Sequence, residues 1–146
     1  MEESITLLTK LKKEFECESI DLRNYSPLTL AFLGDCVFDL IIRTVIVERG
    51  NRTAESLHKK KSVVVKAQTQ ARMAELLLPS LSEEELAVYK RGRNAKSYST
   101  AKNASVSDYR KATGFETLLG YLYLQDMEER IIQLVKTALQ LLHMEI

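Results

Sequence analysis

Histidine, cysteine, proline and glycine are all scarce in this sequence, and each scarcity removes a class of protein. Five Gly and two Pro in 146 residues are too few turn formers for an all-β or disordered chain, which leaves helix as the default. Cys17 and Cys36 stand far apart with no CxxC spacing, so neither a disulfide framework nor a zinc site is indicated, and reduced thiols are expected. The only histidines, His58 and His143, lack a partner pattern for nucleophilic or acid–base catalysis. His58, beside three lysines, reads instead as a phosphate contact. No uncharged apolar run reaches the roughly 18 residues of a membrane span, and the acidic start Met1-Glu2-Glu3-Ser4 is unlike a secretory signal. The expectation is a cytoplasmic protein with no membrane partner.

What is present fits one compact domain over 1–146, long enough to bury a core without disulfides or structural metal. A net charge of +1 conceals an uneven distribution. Between Lys90 and Lys111 seven cations face the single anion Asp108, and Lys59, Lys60, Lys61, Lys66 and Arg72 follow one another with no acid among them. Such segments suit a phosphate backbone, because Lys and Arg interleaved with Asn, Ser and Tyr supply point charges and neutral donors together. The bland alternative is a solvated charged face.

Helix signals recur along the chain. Ile5 to about Phe15 is a short amphipathic helix expected to pack as a lid. Ser26-Pro27 opens a helix to about Glu48, stopped by Gly50-Asn51. Thr53 or Ser62 can cap the next start, and Val63 to Leu78 reads helical as far as Pro79. Ser82-Glu83-Glu84-Glu85 is a capping box for a helix that ends near Arg91-Gly92. A long exposed loop is expected from Arg93 to Val106, then a helix capped by Ser107 to about Gln125, and a last one from Arg130 to Met144. With no strand pattern, the predicted fold is an all-α irregular helical bundle.

Two acids stand out within this frame. Asp35 lies in Leu30–Ile42 and Glu116 in Thr113–Leu124, segments apolar almost all round the helical wheel and therefore expected to be enclosed by protein. A carboxylate in such a place needs a pairing cation or a metal. Gly34 and Gly120 flank these acids, and glycine within a buried helix is best explained by close backbone approach. Helices crossing there would bring Asp35 and Glu116 to one small space, two oxygen ligands suited to Mg²⁺. The same residues are also open to a structural reading as salt-bridge partners, with Asp39, one turn on, either assisting or facing an Arg.

Leu33-Gly34-Asp35 within Leu30–Leu40, and Phe115-Glu116-Thr117-Leu118-Leu119-Gly120 running on to Leu124, resemble the two signature helices of ribonuclease III catalytic domains. Arg91-Gly92-Arg93-Asn94-Ala95-Lys96-Ser97, then Lys102-Asn103-Ala104, Tyr109-Arg110 and Ala112–Glu116, are similar to the Mini-ribonuclease III group, the short bacterial form without a double-stranded-RNA-binding domain. The resemblance implies a homodimeric, Mg²⁺-dependent endonuclease of duplex RNA with Asp35 and Glu116 as catalytic metal ligands. It further implies products with short 3′ overhangs and, as substrate, the stem flanking precursor 23S ribosomal RNA, with a ribosomal protein on that RNA as a further expected partner. The longer ribonuclease III pattern carries two additional acids where this chain has Ala31 and Thr113, which implies a first shell with more water. RNA contacts are assigned on this basis to Lys59, Lys60, Lys61, Arg91, Arg93, Asn94, Lys96, Lys102, Asn103 and Arg110. The rival reading is a catalytically silent duplex-RNA-binding module of the same fold.

Overall fold

A computed structural model of the chain describes residues 6–95 and 105–146. Among them are seven α-helices and no strand: α1 (Leu7–Glu14), α2 (Pro27–Glu48), α3 (Ala54–Val65), α4 (Ala67–Leu77), α5 (Glu83–Asn94), α6 (Val106–Leu124) and α7 (Glu128–Leu141). The architecture is the all-α bundle expected. Its axis is α6, which packs most extensively on α2, α5 and α4 and also meets α7. The Phe38 and Phe115 rings meet edge to face with centroids 5.3 Å apart, and Leu30, Ile42, Met73, Leu118, Leu119 and Leu134 pack around them, all buried. None of the helices among the described residues is long and apolar enough to cross a membrane.

The caps explain where the helices begin. The Ser26 hydroxyl accepts from the Thr29 amide at 3.1 Å with Pro27 in the first turn, so α2 starts where the sequence places it. In α5 the Ser82 hydroxyl and the Glu85 carboxylate accept from each other's backbone amides at 3.1 and 2.9 Å, the reciprocal arrangement that satisfies two otherwise free donors. Glu85 is buried and also accepts two hydrogen bonds from Arg130 at 2.8 Å each, tying α5 to α7.

Of the two candidate caps for the third helix, Thr53 is the one used; Ser62 lies inside α3 and donates to the His58 carbonyl at 2.8 Å. Other boundaries depart from expectation. The single helix expected from Val63 to Leu78 is broken at Lys66, whose backbone is extended. Thr69 donates to the Val63 carbonyl at 2.8 Å and Gln70 to the Val65 carbonyl at 2.7 Å, so buried side chains satisfy the carbonyls that a continuous helix would have bonded. Further on, α5 continues to Asn94, and the helix expected from Ser107 is capped two residues earlier by Ser105, whose hydroxyl accepts from the Asp108 amide at 3.0 Å.

Candidate active site

Two glycines decide where α2 and α6 touch. A Cβ placed on Gly34 would overlap the Glu116 carbonyl oxygen and lie 2.8 Å from the Gly120 nitrogen; one placed on Gly120 would overlap the Leu30 carbonyl oxygen and lie 3.2 Å from the Gly34 nitrogen. The backbones are therefore in direct contact, as the sequence implied. A second crossing, which sequence reading missed, joins α5 to α6: a Cβ on Gly92 would lie 2.6 Å from Thr117 Cβ and 2.9 Å from Gly114 Cα, and one on Gly114 would lie 2.7 Å from the Tyr89 ring. The Thr117 hydroxyl lies 2.7 Å from the Thr113 carbonyl and 3.1 Å from the Pro27 carbonyl, which links α6 to the start of α2.

The first crossing places Asp35 beside Glu116. Burial is the largest influence on Glu116, followed by a hydrogen bond to Asp35 and the charge of Asp35, and together they push its pKa up to about 9. Without a cation, burial and the neighbouring Asp35 thus hold Glu116 as the neutral acid, hydrogen-bonded to Asp35. Two carboxyl groups within bonding reach are what a shared divalent ion replaces a proton to occupy, so the residues fit a metal. The protein's share is small. Ala31 and Thr113 occupy the preceding turns, the Thr113 hydroxyl donates to the Tyr109 carbonyl at 2.9 Å, and no group of three or more His, Cys, Asp or Glu suited to a metal exists among the described residues. Such a site suits an ion that keeps most of its waters, as Mg²⁺ does.

Two expectations need correction. Asp35 is exposed, and only Glu116 is half-buried. The apolar wheel of α2 does not mean that this chain encloses the helix, since Leu28, Phe32, Leu40 and Val47 are all exposed, Phe32 by 84%. Asp39 faces an Arg, the second of the two alternatives: Arg43 Nε lies 2.6 Å and Lys61 Nζ 3.4 Å from its carboxylate.

The basic residues fall into two groups. On α3, Lys59 is exposed and pairs with Glu55 at 3.3 Å, Lys60 is half-exposed, and Lys61 is largely covered by its contact with Asp39. Where α5 ends and α6 begins, Arg93, Asn94 and Arg110 line one shallow depression together with Lys111. Arg93 stacks over the Tyr89 ring at 5.8 Å, and Lys111 pairs with Glu75. Arg91 is exposed, with Nη2 3.4 Å from the Tyr25 carbonyl. Lys96, Lys102 and Asn103 lie outside the described residues.

The raised pKa of Glu116 makes a prediction about pH. Between its ordinary value of 4.5 and about 9 the folded, metal-free protein holds a proton that the unfolded chain has released. Stability from this group is complete below 4.5 and is lost as pH rises through 9. Thermal midpoints in chelator should therefore fall from pH 6 to pH 9, and Glu116→Gln should flatten that slope. Divalent metal must displace the same proton, so calorimetry in buffers of different ionisation enthalpy should detect proton release and an affinity that rises with pH.

Known proteins resemble this chain in sequence and in fold. Residues 28–127 match the family described as Ribonuclease III domain. A Mini-ribonuclease 3 of Clostridium tetani is 47% identical over 122 residues, 83% of this chain and 81% of that protein. Another from Brevibacillus brevis is 50% identical over 113 residues, 77% of this chain and 84% of that protein. An X-ray crystal structure of a protein from Fusobacterium nucleatum superposes with a TM-score of 0.75 at 32% identity, covering 84% of this chain and 98% of that one.

Proposed function

We propose, because this chain belongs to the ribonuclease III family and to its Mini-ribonuclease III group, that it is an endoribonuclease that hydrolyses the strands of duplex RNA at the Asp35–Glu116 pair. The observation that carries this reading is the contact of α2 and α6 through Gly34 and Gly120, which puts one acid from each helix within bonding reach. The family uses a divalent metal, and we assign it as Mg²⁺, held by Asp35 and Glu116. Bound there, it supplies an activated water and neutralises charge on the phosphate under attack. Asp35 and Glu116 do the rest of the positioning: both must be ionised to hold the ion, and the α2–α6 contact fixes their separation before substrate arrives.

Residues 1–146 act as a single catalytic domain whose own cations bind the RNA. Lys59, Lys60, Lys61, Arg91, Arg93, Asn94, Lys96, Lys102, Asn103 and Arg110 are the proposed contacts. A second copy of the chain covers the exposed apolar strip of α2, because Leu28, Phe32, Leu40 and Val47 form a stripe that water leaves unsatisfied. A homodimer carries two sites and cuts both strands. The substrate is the stem flanking precursor 23S ribosomal RNA, in the cytoplasm, with a ribosomal protein helping to present it.

The test is direct. A long RNA duplex incubated with the protein and Mg²⁺ should be cut on both strands, chelator should stop the cutting, and the separated strands should survive. Binding without cutting would select the silent RNA-binding module instead, and equal cutting of single strands would overturn the duplex assignment.

A further inference from the structure

We propose that Arg43, His58 and Lys61 form a phosphate-binding subsite beside the cleavage site, which holds a backbone phosphate of the RNA and is organised by Asp39. This rests on the reading of the chain as a duplex-RNA nuclease. A cavity of about 360 Å³ opens between α2 and α3, lined by the apolar Ile46, Val47 and Leu57 and by Arg43, His58 and Lys61, with Val47 marking the edge it shares with the apolar strip assigned to the second copy. The last three side chains of that lining carry nitrogen donors, and its apolar part keeps the local dielectric low, which strengthens their hold on an anion.

Asp39 explains why two cations stand side by side there. Its carboxylate takes Arg43 Nε at 2.6 Å and Lys61 Nζ at 3.4 Å. One carboxylate between two cations leaves the cavity with surplus positive charge. The ion pair engages the Nε edge of Arg43, whose side chain remains 58% exposed, whereas Lys61 is 15% exposed. Arg43 and the exposed His58 are therefore the groups that meet the ligand, with Lys61 behind them. A guanidinium oriented by a carboxylate has its planar fork preset for phosphate oxygens. Asp35, Asp39 and Arg43 follow one another along one edge of α2, and at 1.5 Å per residue Arg43 lies about 12 Å along the axis from Asp35. A strand that enters the cleavage site passes within this range.

The experiment uses the full chain with Arg43→Gln, His58→Gln, both together, and Arg43→Lys. Each is made in a Glu116→Gln background for binding and in the wild-type background for kinetics. The probe is a labelled RNA duplex titrated across salt concentrations. The double variant should bind roughly tenfold more weakly, with the slope of log affinity against log salt reduced by about 1, the contribution of one phosphate contact. KM should rise more than kcat falls, and Arg43→Lys should recover part of the affinity. His58→Gln breaks no ion pair, so its smaller loss in the same direction separates the subsite from a folding defect. Inorganic phosphate should compete with the duplex more effectively on the wild type than on the double variant. Unchanged affinity and salt slope in both single variants would overturn the subsite. So would a shift from dimer to monomer on sedimentation of Arg43→Gln, which would place Arg43 between subunits. A wild-type protein that neither binds nor cuts duplex RNA would instead remove the functional reading on which the subsite rests.

Discussion

Glu116→Gln should abolish metal-dependent cutting of duplex RNA while leaving the fold intact. The amide has the size of the acid and, like the protonated acid, can donate to Asp35, so the hydrogen bond of the metal-free protein survives. What it cannot do is ionise. Losing a ligand's supporting partner lowers activity roughly 10–100-fold in metal sites, and losing one of the two carboxylates that hold the ion should exceed that, with a fall on the order of 10³-fold or more. Asp35→Asn should have a similar effect, because the site offers no third carboxylate among the described residues to compensate. Single-turnover cleavage at saturating protein measures the loss. Duplex binding by either variant should persist, since the cations assigned to RNA lie elsewhere. If Glu116→Gln still cut at a rate near wild type, the metal would have to be held by other groups, and the α2–α6 crossing would not be the site.

Gly34→Ala should destabilise the protein by about 3 kcal/mol or more, the upper range for overpacking a well-filled interior. On an unobstructed helix the same change would stabilise by about 1 kcal/mol through helix propensity. The sign of the effect therefore reports the crossing. The new methyl would collide with the backbone carbonyl of Glu116 and the backbone nitrogen of Gly120, neither of which can rotate away as a side chain could. For a chain of this size the thermal midpoint should drop on the order of 10 °C. Surviving folded protein should also cut slowly, because relief comes only by pushing the helices apart and separating Asp35 from Glu116. Gly120→Ala should behave alike, through its overlap with Leu30. A midpoint that rose with either substitution would show that the helices do not touch there.

Much of this arrangement was legible in the sequence because short-range chemistry dictates it. Ser26-Pro27 fixes the start of α2 with a cap and a preset φ. Gly34 and Gly120 announced their crossing because glycine weakens an apolar helix and is worth that cost where two backbones must approach. The α5–α6 crossing was less readable. Gly114 shares the apolar segment of Gly120, but its partner Gly92 falls in a charged segment, so the pair lacks the matching apolar context that exposed the first crossing. The break at Lys66 was illegible for another reason: it contains neither Pro nor Gly and depends on Thr69 and Gln70 turning back to the carbonyls of α3, a tertiary arrangement without a local signature. In the site, the i, i+4 spacing of Asp39 and Arg43 is a readable pair, but Lys61 joins them from another helix. The exposure of Asp35 was hidden too, since a uniformly apolar wheel looks the same whether its cover comes from the same chain or from another.

The two crossings share α6, and its small residues Gly114 and Gly120 let it press against neighbours on two sides with little side chain between. A rod clamped in this way has no soft cushion on which to slide or roll by a fraction of a turn. With the native glycines in place, heat therefore has no partial slippage by which to misalign the two acids, so heat inactivation should coincide with cooperative melting rather than precede it.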